Sequence, residues 1–180
     1  MFYEYEKLIA LMQSLAKEID GHYFGNKSLN LFGVIKDDFL IQYRFPSRDH
    51  MATFSVMTPC ILEDGVRIVI DRFNKISLHK RYYKNDQFDI SIIGENKEYS
   101  EKLVDSLLND FTFMANFKQL FSKDDQIDIS ENTLTIYVYR AIESTFASVG
   151  VMPKEELIRM INILKEMKAS LEYFKRRYNG

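Results

Sequence analysis

Residues 88–139 hold the tightest pattern in the chain: FDISII, then LVDSLLNDFTFMANFKQLF, then QIDIS-EN-TLTIYVY. Phe88, Ile90 and Ile92 alternate with Asp89 and Ser91, the period-two rhythm of a half-buried strand. Gly94 ends that strand, and Asn96 is placed to cap a helix. Leu103, Leu107, Phe111, Met114 and Phe121 follow one helical face, widened by Val104 and Leu108. Thr112 and Phe113 form helix less readily, so a kink or a short break is expected near Asp110. Ile127 and Ile129, then Leu134, Ile136 and Val138, alternate on either side of Glu131-Asn132, which marks a hairpin. A strand, a helix and a hairpin that must bury their apolar sides together point to a sheet covered by helices.

The rest of the chain extends this unit. Tyr5, Leu8, Met12, Leu15 and Ile19 place one apolar stripe on a first helix, closed at Asp20-Gly21 with the glycine expected in the left-handed position. Two apolar runs flank Lys36-Asp37 and read as a hairpin, with Gly33 expected at a bulge. Ala52, Phe54 and Val56 alternate as a strand that Pro59 breaks. Val66, Ile68 and Ile70 make another. Residues 74–87 are polar, basic and irregular, which reads as a long loop. The expected architecture is therefore α+β: a largely antiparallel sheet of about seven strands in meanders and hairpins, covered by N-terminal, central and C-terminal helices. We expect one domain over residues 1–180, with any internal division near 74–87 separating 1–73 from 88–180.

The last helix follows Pro153, with Glu155 and Glu156 in its first turn and Lys175, Arg176 and Arg177 in its last. Leu157, Met160, Leu164, Met167, Leu171, Phe174 and Tyr178 step alternately by three and four, a heptad seam. Packing within the subunit is the first reading of this seam. Ile158, Ile161 and Ile163 lie outside it and keep a second reading, a homodimer interface through Leu157, Met160, Leu164, Met167, Leu171 and Phe174.

Chemistry is harder to find. Cys60 is the sole cysteine and sits in an apolar context, so a buried inert thiol is expected and no intrachain disulfide can form. His22, His50 and His79 stand singly, without metal-ligand spacing. Asp37-Asp38, Glu63-Asp64 and Asp124-Asp125 fall in expected turns, where Asp serves the backbone. No glycine-rich phosphate loop and no nucleophile elbow is present. No catalytic, cofactor-binding or metal residue is therefore assigned. Lys75, His79, Lys80, Arg81 and Lys84, interleaved with Tyr82 and Tyr83, are the candidates for binding an anion or nucleic acid. A net charge of -2 argues against nucleic acid as the main partner. Apolar residues at 46% exclude wholesale disorder, and no apolar run is long enough to span a bilayer. The N-terminal residues carry Glu4, Glu6 and Lys7 and do not resemble a secretory leader, so a cytoplasmic location is expected.

The segments GHYFGNKSLNLFGVIKDDFLIQY, ATFSVMTP, FDISIIGENKEYSEKLV and QIDISENTLTIYV, over roughly residues 21–139, resemble an uncharacterised family of prokaryotic α+β proteins without assigned activity. That resemblance implies a module that works with another molecule and carries over no catalytic residue. The β–α–β–β–α tail also resembles the small acidic dimeric chaperones of bacterial secretion systems, although the long β-rich first half departs from them. The first functional expectation is a non-catalytic interaction or adaptor module with a protein partner and a homodimeric state. The alternative is a binder of a small apolar ligand between sheet and helices, near Phe111, Met114 and Phe117. Nucleic-acid binding through residues 75–84 ranks third.

Overall fold

The computed structural model describes residues 2–29, 31–44, 51–71, 80–85, 88–120, 125–141 and 153–178. In chain order the elements are α1 (Phe2–Glu18), β1 (His22–Asn26), β2 (Leu31–Lys36), β3 (Phe39–Arg44), β4 (Met51–Pro59), β5 (Arg67–Asp71), β6 (Arg81–Lys84) and β7 (Asp89–Ile92), then α2 (Lys97–Asn109), α3 (Phe111–Leu120), β8 (Asp125–Ser130), β9 (Thr133–Ala141) and α4 (Lys154–Tyr178). Among the described residues the strands form one antiparallel sheet in the order β1-β2-β3-β4-β9-β8-β5-β7-β6. The fold is α+β, as the alternation implied. Two strands come in addition to the seven expected, β1 and β6, and both lie at the edges.

Register explains why the helices gather on one face. Tyr23, Val34, Ile41, Val56, Ile136, Ile127, Ile70, Ile90 and Tyr83 stand opposite one another in turn across all nine strands. The seven aliphatic members of this row are at most 3% exposed. Side chains alternate faces along a strand, so one apolar residue per strand in register makes one apolar surface. α1 covers it at β1 and β2, α4 at β4 and β9, and α2 at β7, while α3 packs on α4. The next row, on the opposite face, is polar across its middle: Gln42, Ser55, Tyr137, Gln126, Asp71 and Asp89.

Local signals hold at several junctions. Asp110 is extended (φ -82, ψ 110) and separates α2 from α3. Its carboxylate accepts from Phe113 N at 2.9 Å and so caps α3, which is the expected break. Asn96 accepts from Tyr99 N at 3.3 Å and caps α2. The β2–β3 turn falls on Asp37-Asp38, one residue later than expected, with Asp37 at φ 50.

Two glycines serve other ends than the pattern implied. Asp20, not Gly21, takes the left-handed position (φ 54) after α1. At Gly21 a Cβ would lie 2.8 Å from the Ile35 carbonyl oxygen, so the glycine permits close approach to β2. At Gly33 the pairing is regular, with no bulge, and the Phe24 ring lies over it: a Cβ there would sit 2.6 Å from the ring. The bulge occurs instead in β6, between Arg81 and Tyr83.

The α4 seam is buried inside the subunit. Leu157, Met160, Leu164, Met167, Leu171 and Phe174 are each at most 1% exposed and belong to the same core as the sheet row. In this structure these residues pack inside their own subunit and are not available at its surface. Ile161 (7%) and Ile163 (5%) are buried as well. Leu164→Ala should lower the free energy of unfolding by about 2–5 kcal/mol, because the site can collapse only in part. Chemical denaturation measures that loss. Sedimentation of the folded variant should show the same oligomeric state as the parent.

Candidate functional site

Three surfaces hold the residues singled out above, and one further surface emerges only from the fold. The first lies between the sheet and the helices α2 and α3. Phe117 is buried there and meets Phe88 edge-on at 4.7 Å, with Phe113 at 6.4 Å. Ile68, Ile70, Ile90, Val104 and Leu107 close the region around about 10 Å³ of free space, room for about one water. Met114 is half-buried, and Phe111 points away, 88% exposed. A small apolar ligand has no space here in this conformation.

The second surface is the basic segment. Lys75 and His79 lie outside the described residues. Lys80 is exposed, and residues 81–84 are an edge strand rather than loop. Arg81 Nε stands 3.1 Å from the buried Asp89 carboxylate, so this cation is engaged inside the protein. Lys84 is exposed and lies opposite Asp89 in the ladder. Tyr82 Oη donates to Asp105 on α2 at 3.0 Å, and Tyr83 stacks on Phe88 at 5.6 Å. Arg81, Tyr82 and Tyr83 thus turn back onto the fold, while Lys80 and Lys84 are exposed.

The third is the polar sheet face. Asp71 stands opposite Asp89, and Arg67 donates to Asp128 at 3.1 Å. Partial burial, then the charges of Asp89 and Asp128, push the Asp71 carboxyl above the usual carboxylate range. Among the described residues no group of three or more His, Cys, Asp or Glu could hold a metal ion.

The further surface is a groove of about 660 Å³ where the chain leaves β4 beside the C-terminal half of α4. Pro59 ends the strand, but residues 60–62 stay extended because Cys60 N and Leu62 N donate to Asn132 O (3.0 Å) and Glu131 O (2.8 Å) of the β8–β9 turn. Alternation then sends Cys60 (4%) and Leu62 (7%) inward and leaves Ile61 70% exposed. The opposite wall is a helical stripe at i, i+4, i+7 and i+8: Lys168, Glu172, Lys175 and Arg176. Lys168 Nζ donates to Asp38 at 2.5 Å and lies 3.5 Å from Thr58 Oγ1, which holds the α4 wall against the β2–β3 turn. That hydrogen bond keeps the Asp38 carboxyl below its ordinary range. Burial raises the Cys60 thiol to about 11, so it is a poor nucleophile at neutral pH.

Sequence reasoning did not find this groove. The cationic stripe is visible as helical spacing on α4, but residues 59–61 meet it only through the β4–β9 pairing. Comparisons with family models, curated proteins and solved structures give no match.

The Asp71 carboxyl yields a prediction with a defined sign. Its folded-state pKa is raised, so the folded protein holds the proton to higher pH than the unfolded chain, and stability falls as pH rises through that raised value. Asp71→Asn should therefore stabilise the protein at pH 7 by up to about 1 kcal/mol, the scale of like charges opposed across a ladder. The gain should vanish below about pH 4, where the unfolded carboxyl is also protonated. Urea titrations at the two pH values measure it.

Proposed function

We propose that this protein is a protein-interaction module whose groove beside α4 takes a short acidic segment with an apolar anchor from a partner protein. One observation carries this reading: an exposed isoleucine and three cations face a single groove of about 660 Å³. Ile61 offers apolar contact on one wall. Lys175 and Arg176 supply positive charge on the other, against the carboxylate of Glu172. Lys168 is anchored by Asp38, so its charge is positioned before any ligand arrives. The stripe from residue 168 to 176 runs about 12 Å along the helix, enough for about four residues of extended chain. Such a segment would set its apolar side chain on Ile61 and Pro59 and its carboxylates toward α4. Charge pairs at an exposed rim act more on encounter and specificity than on affinity. Micromolar binding is therefore expected from a contact this small.

A fluorescein-labelled Asp-Glu-Leu-Asp-Glu peptide provides the probe, read by fluorescence anisotropy and by amide shift mapping. Binding should move the amides around Ile61 and residues 168–176 and weaken as salt rises. Lys175→Glu with Arg176→Glu should reduce affinity about tenfold or more, from two rim charges worth about 1 kcal/mol each. Ile61→Asp should abolish the anchor. Equal binding of a Lys-Lys-Leu-Lys-Lys peptide, or shifts confined to other surfaces, would overturn the reading.

A further inference from the structure

We propose that two copies of this chain pair through β1, edge to edge and antiparallel, about a two-fold axis at Phe24. An open sheet has two edges, and here they differ in kind. β6 carries Arg81 and Lys84, is four residues long and is bulged between Arg81 and Tyr83. Each of these features opposes pairing with another strand. β1, HYFGN, has five residues in regular register with β2 and contains no lysine, arginine, carboxylate or proline. Among the described residues it has one strand neighbour, and His22, Gly25 and Asn26 are exposed.

The backbone groups that β1 turns outward follow from the turn one hairpin away. Asp37-Asp38 is a two-residue connection, so the flanking Lys36 and Phe39 form a hydrogen-bonded pair. Alternation along β2 then directs Lys36, Val34 and Phe32 toward β3, and Ile35, Gly33 and Leu31 toward β1. Their partners His22, Phe24 and Asn26 point into the sheet. Tyr23 and Gly25 therefore present their N–H and C=O groups away from it.

Those two residues are self-complementary. About a dyad at Phe24, Tyr23 of one copy lies opposite Gly25 of the other as a hydrogen-bonded pair, and the two Phe24 residues meet as the closer, non-hydrogen-bonded pair. His22 lies opposite Asn26, so no like charges oppose each other in β1. The same operation on β6 would bring Arg81 and Lys84 of the two copies together. On the face that Phe24 shares, Ile35 is 45% exposed, and nearby in the chain Leu29 of the β1–β2 connection is 66% exposed. These apolar side chains and the absence of opposing charge favour a second copy as the occupant of the edge. A five-residue pairing is small, so dissociation constants of about 1–100 μM are expected.

Sedimentation velocity and native mass spectrometry across that concentration range test the proposal, together with amide hydrogen exchange. The parent protein should show a dimer whose Tyr23 and Gly25 amides exchange slowly only at high concentration. Phe24→Lys sets like charges together at the axis, while its stem still covers Gly33. Gly25→Pro removes one outward N–H and no β1–β2 bond, and its Cβ displaces the Tyr23 hydroxyl that lies over Gly25. Each should raise the dissociation constant about tenfold or more, with circular dichroism unchanged in at least one of them. A monomeric parent at about 100 μM, a dimer untouched in both variants, or Tyr23 and Gly25 amides that exchange freely in the dimer would overturn it. This outcome is independent of the groove, which lies beside α4.

Discussion

The structure depends on one row of apolar side chains held in register across nine strands, from Tyr23 on β1 to Tyr83 on β6. Shifting any strand by one residue would turn its apolar members to the polar face, so burial of this row and the ladder register enforce each other. The β4–β9 pairing is the critical joint. It runs the whole length of β4, from Met51 opposite Ala141 to Pro59 opposite Thr133, and it brings the late β8–β9 hairpin between β4 and β5. Without it, the early meander and the β9-β8-β5-β7-β6 group would be two separate sheets, each with an unpaired inner edge.

That joint also sets where α4 lies and what its outer side can do. The helix covers β4 and β9 with a seam at most 1% exposed, and this sets which side of its C-terminal half meets the groove. That side carries Lys168, Glu172, Lys175 and Arg176, and the extended segment after Pro59 meets them because β4 ends there. Ion pairs orient this arrangement more than they stabilise it. Lys154 with Glu18 ties α4 to α1, and Lys168 with Asp38 ties it to the β2–β3 turn. Both involve partly exposed partners, for which the net gain is small. Their value is geometric: they fix which way the groove wall presents its cations.

The polar face of the sheet carries the cost of this scheme. With the helices gathered on the apolar side, Asp71, Asp89 and Asp128 share the other, and Asp89 is buried beside Arg81. A buried pair of this kind offers little net stability but strongly penalises loss of either partner. It thereby anchors β6 to β7 at an edge where four residues and a bulge provide few ladder bonds. This accounts for Arg81, the single arginine of the basic segment, which is drawn to the sheet.

The elements with strong local signals were legible in the sequence: the alternating strands, the break at Asp110, the Asn96 cap and the Glu131-Asn132 turn. β1 and β6 were not, because an edge strand pairs on one side and need not alternate; HYFGN and RYYK carry no period-two pattern of apolar residues. Glycine positions misled in the same way, since Gly21 and Gly33 answer to close approach by other segments and not to their own backbone angles. What the amino-acid sequence determined by itself was the set of apolar faces, one per strand or helix, because side-chain direction follows from local periodicity alone. What tertiary structure alone decided was which faces met: that the α4 seam closes on its own sheet, that Arg81 reaches Asp89, and that Ile61 stands across a groove from Lys175. Those meetings rest on pairings between segments far apart in the chain, above all β4 with β9, and hydrophobic periodicity is non-directional about partners.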